Sequence, residues 1–459
     1  MSAGPKALGS LVAASAWLEG LIDVERRPDV PYARLGLEPI RSLLARVGDP
    51  HARLSAIHIA GSKGKGSTAL LAEAVLRALG ERVGTFTSPH LERWTERFRI
   101  DGREVDGGQL AAALERLRPH VEVLRRDDPL RAPTFFDVTT AAALLLFAEE
   151  RIDRAVIEVG LGGRLDSTNA IDGAVTCVTT IELEHTDKLG ATLDAIAREK
   201  AGIAKPGRPL VMGSLPPEAE AAVLERADDV GAPTARLGRE FDVVVREADA
   251  GGLALSLRDG ELAVDAVLPV LGRHQAHNAA LALACVRRLG AHPADALAAA
   301  ARRGFAAVTL PGRVEVLSRA PWIVIDGAHT AASARALARA LAPLADRRAE
   351  LVLSVSAGKD LAPMLDALLP LAERVTVTRA EPTRSLSPEA IAAAVRAAAP
   401  GLSLRVVPNP QMALRAAREA VARDGLLVAT GSIYLAGLAR RAWRREPAPA
   451  PLTPPPPRA

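Results

Sequence analysis

The chain has 459 residues, 49% apolar and only 3% aromatic, so it is long enough for two or three domains with cores built mainly from Ala, Leu and Val. Its 58 Lys and Arg residues are interleaved with 54 Asp and Glu for a net charge of +4; with no basic tract joined to aromatics, nucleic acid is disfavoured as a partner, and anionic small molecules suit the small excess. Cys177 and Cys285 sit in apolar segments, and neither a membrane-length apolar run nor a signal-peptide pattern is seen, so a disulfide scaffold and a membrane protein are set aside for a cytoplasmic enzyme.

Helices with a loop between them are predicted over 1–50. Residues 54–60 then read as an apolar strand, 61–67 as a glycine-rich loop, 68–79 as a helix stopped by Gly80, and 82–87 as a strand. Helices are predicted at 110–124 and 138–150, strands at 154–159 and 174–181, and a helix at 193–203. This alternation predicts a mainly parallel sheet with right-handed crossovers. From Phe241 the pattern changes: 241–246 and 253–257 alternate, suggesting a small antiparallel patch, before a helix at 274–289. Pro311-Gly-Arg313 interrupts the chain ahead of a second strand-helix series, with strands at 322–325, 350–355, 374–378, 403–407 and 426–430. The expected organisation is an α/β domain over 1–314, a smaller α/β domain over 315–445, and a disordered proline-rich tail over 446–459.

Only seven of the 58 cationic residues are lysines, and most fall in motif-like segments. A compact amine can enter a phosphate nest, lose its proton or react with CO2; a guanidinium cannot do the last two. Lys63 and Lys65 lie in Gly61-Ser-Lys-Gly-Lys-Gly-Ser67, between a predicted strand and a predicted helix, the context of a phosphate-binding loop. Loop N–H groups and the helix N-terminus form an anion nest there, Lys65 would neutralise the β- and γ-phosphates, and Ser67 or Thr68 would reach Mg2+. Gly66 separates Lys65 from Ser67, so the spacing differs from the common Walker A form.

Glu158 ends a predicted buried strand before a glycine cluster, at the sheet edge where ligands bind, and could hold Mg2+. His185 follows the next strand in an equivalent position. Lys200, in the helix at 193–203, is either a solvated cation or a buried amine of lowered pKa. Asp326, in Asp326-Gly-Ala-His329, could bond a ribose hydroxyl or simply form a turn.

Together these residues resemble the folylpolyglutamate synthase/dihydrofolate synthase family of the Mur ligase superfamily, over about 10–440. The resemblance is carried by Ala60-Gly-Ser-Lys-Gly-Lys-Gly-Ser67, Thr87-Ser-Pro-His-Leu91, Thr134-Phe-Phe-Asp137 and Glu158-Val-Gly-Leu-Gly-Gly-Arg-Leu-Asp-Ser-Thr-Asn169. Arg198-Glu-Lys-Ala-Gly-Ile203, Gly272-Arg-His-Gln-Ala-His-Asn278, Pro311-Gly-Arg313 and Asp326-Gly-Ala-His329 add to it. It implies a P-loop, Mur-ligase-type ATPase domain followed by a Rossmann-like glutamate-ligase domain.

The resemblance also implies residue roles. Gly61, Gly64, Lys65, Gly66, Ser67 and Thr68 would bind the ATP phosphates, with Asn278, Arg313 and Asp326 as further ATP contacts. Ser67, Ser88, Glu158, His185 and a carbamylated Lys200 would hold one or two Mg2+ ions. The pterin-bearing substrate would lie near Leu35, Gly36 and Leu37, near Thr134, Phe135, Phe136 and Asp137, and near Leu165, Asp166 and Ser167. His329 would help to place glutamate. The implied reaction is ATP-dependent addition of L-glutamate to dihydropteroate or a folate through an acyl phosphate, by a monomer with neither nucleic-acid nor membrane partners. Lys63, Asp137, Glu184 and Thr330 depart from the family's usual Asn, Glu, Asp and Asn. A Mur-type ligase with a non-folate acceptor, or a nucleotide-binding non-enzyme, are the other readings; too few residues precede Gly61 for the UDP-binding domain of cell-wall Mur ligases.

Overall fold

The computed structural model describes residues 10–21, 36–290 and 292–444; Leu35 and the tail 446–459 lie outside them. The chain divides into two compact units, Met1–Leu310 and Pro311–Ala459.

The first unit is built on β1 (Ala56–Ala60), β2 (Val83–Phe86), β3 (Phe98–Ile100), β4 (Arg103–Glu104), β5 (Arg154–Glu158), β6 (Val175–Val178), β7 (Leu210–Met212) and β8 (Thr234–Arg236), in spatial order β4-β3-β2-β5-β1-β6-β7-β8. Neighbours from β2 across to β8 are parallel, while β3 and β4 add an antiparallel hairpin at one edge. β1 is buried along its whole length. Because successive strand residues face opposite sides, its two faces feed two different cores.

The helices of this unit are α1 (Leu11–Glu19), α2 (Glu38–Arg46), α3 (Lys65–Ala78), α4 (Gly107–Asp127), α5 (Phe135–Glu149), α6 (Thr186–Leu189), α7 (Leu193–Ala201), α8 (Pro217–Asp229), α9 (His274–Arg288) and α10 (Ala294–Ala307). Ile57 and Ile59 join a core with α3, α9 and α10. Ala56, Phe86 and Ile157 join another with α1, α2, α4 and α5. α7 and α8 cover β6 and β7. A meander of β9 (Phe241–Asp249), β10 (Gly252–Asp259) and β11 (Leu262–Leu268) packs its apolar face on the α3, α9 and α10 core. The sequence reading missed β11, whose outward positions include Ala263 and the exposed Val267, which blur the polar alternation.

The second unit carries β12 (Glu315–Arg319), β13 (Trp322–Ile325), β14 (Ala349–Leu353), β15 (Ala372–Val377), β16 (Ser403–Val406) and β17 (Leu426–Thr430), in order β12-β13-β17-β14-β15-β16. All neighbouring pairs are parallel except the β12–β13 hairpin. β12 is half-buried at the edge and was also missed, because an edge strand has no continuous apolar run.

Phe147 on α5 is fully buried, and Gly84 of β2 lies so close that a Cβ there would sit 2.6 Å from its ring. Removing a ring packed this closely against backbone leaves a cavity. Phe147→Ala is expected to cost about 4 kcal/mol, read as a lower urea midpoint at unchanged m-value.

Candidate active site

β1 delivers the chain into the glycine loop. Gly61 has φ +144°, and a Cβ there would fall 1.9 Å from the Thr179 hydroxyl oxygen; Gly64 has φ +84°, and its Cβ would fall 2.4 Å from Asn278 Oδ1. Both positions therefore require glycine. The loop is docked on the segment after β6: the Ser62 N–H donates to the Thr180 carbonyl (2.8 Å), the Lys63 N–H to the Thr180 hydroxyl (2.8 Å), and the Thr179 hydroxyl to the Lys63 carbonyl (2.6 Å). Gly64 turns the chain directly into α3, which starts at Lys65, earlier than the predicted 68. Its first turn contains Gly66 and carries no apolar periodicity from which to read a helix. The N–H groups of that turn lack intrahelical acceptors, which suits them to an anion. Ser67 and Thr68 are buried there, and Thr68 Oγ1 has no hydrogen-bond partner among the described residues.

Three ammonium groups converge on this loop. Lys65 Nζ and Lys200 Nζ both donate to the Gly61 carbonyl, at 2.8 and 3.1 Å. Lys200 also reaches Glu184 Oε1 at 3.2 Å, and Lys63 reaches Glu184 Oε2 at 3.0 Å. Of the two readings left open for Lys200, the buried amine holds: the residue is 2% exposed. Burial and then the charge on Lys65 lower its pKa to about 8, against the opposing pull of Glu184. Burial alone pushes Glu184 upward, but Lys200, Lys63 and Lys65 outweigh it and hold the carboxyl at about 2.

Glu158, at the end of β5, is buried, and its Oε2 accepts the Ser88 N–H at 2.9 Å, so these two candidate metal residues are in contact. His185 stands exposed, with φ +49°, at the start of α6. Among the described residues no group of three or more His, Cys, Asp or Glu side chains is gathered for a metal ion. Such a sparse set fits a hard divalent ion that takes its remaining ligands from phosphate and water.

The glycines after Glu158 are required by close packing. A Cβ at Gly160 would meet the Phe136 ring at 2.5 Å, and one at Gly163 the Glu199 carbonyl at 2.7 Å. The loop thus fits between the start of α5 and the end of α7, drawing together residues distant in sequence. Asp137 Oδ2 accepts from the Thr134 N–H and hydroxyl, forming the box that caps α5, while Oδ1 accepts from the Ser167 hydroxyl at 2.7 Å. Burial raises the Asp137 pKa against those hydrogen bonds. Asp166 accepts N–H groups from Leu161 and Thr168. Leu37 precedes α2 and packs on the core that includes α5. Trp94, its ring tilted 52° to that of Phe135 with centroids 4.9 Å apart, and with the Arg97 guanidinium 5.0 Å from the Trp94 ring, lies beside these residues. No motif marked Trp94 or Arg97; Trp94, one of four tryptophans in the chain, was the available signal.

Asn278 belongs to the first unit, where it meets Gly64 and donates to Gln275. Arg313, Asp326 and His329 belong to the second. Asp326 follows β13 and accepts the Val314 and Ala328 N–H groups at 2.7 and 2.8 Å; burial raises its pKa to about 6. The Arg313 guanidinium donates to the Pro311 carbonyl, and His329 Nδ1 lies 2.8 Å from the Gly327 carbonyl. Thr330 caps α11 (Ala331–Ala340) through Ser333.

Two family descriptions match the chain: the Mur ligase middle domain over 59–286 and the Mur ligase glutamate ligase domain over 312–433. A mainly parallel sheet with a glycine-rich loop after β1, followed by a second α/β unit, together with these matches, defines a Mur-type ligase. The dihydrofolate synthase/folylpolyglutamate synthase of Mycobacterium tuberculosis is 37% identical over 97% of this chain and 99% of its own length. A solved M. tuberculosis folylpolyglutamate synthase complexed with ADP superposes with a TM-score of 0.85 at 36% identity, covering 96% of this chain and 100% of that one. A bifunctional folylpolyglutamate synthase/dihydrofolate synthase of Yersinia pestis, complexed with AMPPNP and a Mn ion, gives 0.81 at 30% identity, covering 96% and 99%. The chain belongs to the dihydrofolate synthase/folylpolyglutamate synthase family.

Two outcomes follow from this geometry. Gly64→Ala forces a side chain onto Asn278 at a left-handed φ, so ADP affinity measured by calorimetry is expected to fall at least tenfold while the melting temperature drops by only a few degrees. The raised pKa of Asp326 means that the folded state holds a proton the unfolded state has lost between about pH 4 and pH 6. Stability of the wild type should therefore fall as pH rises through that window, relative to Asp326→Asn, by up to about 3 kcal/mol in denaturant titrations.

Proposed function

We propose that the protein is an ATP-dependent ligase that joins L-glutamate to the carboxylate of dihydropteroate, of a reduced folate, or of both. The observation that carries this reading is the cluster of Lys63, Lys65 and Lys200 around the Gly61–Gly64 loop, where Glu184 pairs with Lys63 and Lys200 while Lys65 donates to the Gly61 carbonyl. That surplus of positive charge, beside the N-terminus of α3, suits a triphosphate.

In this reading Gly61, Gly64, Gly66, Ser67 and Thr68 cradle the phosphates and Lys65 neutralises them, with Asn278, Arg313 and Asp326 as further nucleotide contacts. Ser67, Ser88, Glu158 and His185 would hold divalent metal, Mg2+ in the cell, which when bound supplies charge neutralisation and phosphate orientation. Lys200 is a buried amine whose lowered pKa favours carbamylation. The γ-phosphoryl group passes to the acceptor carboxylate, giving an acyl phosphate and ADP. The glutamate amine attacks the carbonyl carbon and loses a proton, and phosphate leaves with the bonding pair. The chain contributes mainly positioning and charge stabilisation. The acceptor would lie between Gly36–Leu37, Thr134–Asp137 and Leu165–Ser167, and His329 would help to place glutamate. The first unit is then the ATP-binding domain and the second the glutamate-ligase domain, in a monomeric, cytoplasmic enzyme.

Each of the four departures from the family's usual residues has a local partner within the protein. Lys63 pairs with Glu184, Asp137 completes the α5 capping box and binds Ser167, and Thr330 caps α11.

The test is phosphate release with ATP, Mg2+ and glutamate, offering dihydropteroate and a reduced folate separately. Release with either is expected, and Lys65→Ala should lower it by about 10²–10³. Release with neither, from protein that still binds ADP, would remove the folate reading; near-normal turnover by Lys65→Ala would remove the phosphate-loop role.

A further inference from the structure

His58 lies in the middle of β1, fully buried, three residues before the phosphate loop, on the strand face opposite Ile57 and Ile59. Its Nε2 is 2.9 Å from the Thr168 hydroxyl oxygen, and the same hydroxyl makes a short hydrogen bond to Asp166 Oδ1. Both Asp166 carboxylate oxygens already accept N–H groups, from Thr168 and Leu161, so the carboxylate is the acceptor and the hydroxyl proton belongs to Thr168. A hydroxyl has one proton. With that proton directed at Asp166, Thr168 can only accept from His58, which sets the imidazole as the Nε2–H tautomer. Nδ1 is then an acceptor with no partner among the described residues. Burial, with Lys205 adding to it, keeps the ring neutral. A leucine would fill this site without an orphaned nitrogen; what histidine adds is the N–H at its other end.

We infer that His58 is a positioning residue for the acceptor site, holding the loop 161–168 through Thr168 and Asp166. Asp166 gathers the N–H groups at both ends of that loop, and its neighbour Ser167 then reaches Asp137 at the start of α5. The strand that carries the phosphate loop thereby also sets the loop that faces the acceptor. The inference rests on the reading of that loop as part of the acceptor site, and its test separates the two.

Thr168→Val keeps the shape and removes the relay; Thr168→Ser keeps the hydroxyl. In the full-length, ligand-free protein, hydrogen exchange in peptides covering 161–168 should quicken about tenfold in Thr168→Val and return toward the wild-type rate in Thr168→Ser, with peptides covering 61–67 unchanged. The KM for whichever of dihydropteroate and reduced folate is turned over should rise about tenfold in Thr168→Val, with the ADP dissociation constant within about twofold. His58→Leu should reproduce both effects. Unchanged exchange in folded Thr168→Val and His58→Leu overturns the inference, as does a matching loss of ADP affinity, which would mark a general structural role. Faster exchange with an unchanged acceptor KM, in Ser167→Ala as well, overturns the acceptor reading itself and with it the positioning role; a raised KM in Ser167→Ala alone leaves that reading and removes only the part given to His58.

Discussion

Two ammonium groups share one carbonyl oxygen at Gly61, and much of the first unit's site is arranged around that arrangement. A backbone carbonyl carries only a partial charge, so it cannot by itself offset both Lys65 and Lys200. Glu184 bridges Lys200 and Lys63 and supplies one full negative charge, leaving the cluster positive. An anion is the natural complement to such a cluster, and the first turn of α3 offers N–H groups for one. The same constraint accounts for the burial of Lys200, since an amine deep in the protein is tolerable where a carboxylate and a carbonyl receive it.

Close backbone approach is the second organising feature. Gly61 and Gly64 admit Thr179 and Asn278 to the loop, while Gly160 and Gly163 let the segment after β5 lie against Phe136 and the end of α7. Side chains at these points would separate the phosphate loop, the Glu158 edge and the Thr134–Asp137 turn. The chemistry is carried by lysines and carboxylates, but glycine sets how near they stand. Capping does parallel work: the hydroxyls of Thr134 and Thr330 start α5 and α11 at the segments that carry candidate substrate contacts. In the second unit, Asp326 organises the turn after β13 by accepting two N–H groups at the cost of burying its own charge.

Much of this was legible in the chain order of residues. The alternation of strands and helices predicted a mainly parallel sheet, and the strand at 322–325 matches β13 in extent. Motifs such as Gly61–Ser67 and Glu158–Asn169 are local, so their residue types and spacing pointed to a nucleotide site, and their resemblance to a known family implied a ligase. The edge strands β11 and β12 were not legible, because half-buried or mixed-face strands blur the period-two signal. Nor was the start of α3, where glycine and lysine replace the apolar periodicity on which helix reading depends.

The sequence by itself determined the α/β class, the glycine-rich loop between β1 and α3, and the identity of the charged groups at strand ends, because each of these is written in contiguous residues. Only the tertiary structure decided that Lys63 pairs with Glu184, that Lys200 is buried against Gly61, that Ser167 reaches Asp137, and that His58 backs Thr168. Those pairings join residues brought side by side by parallel strand order and glycine-permitted contacts, and no local pattern encodes which distant partner will complete a buried hydrogen bond.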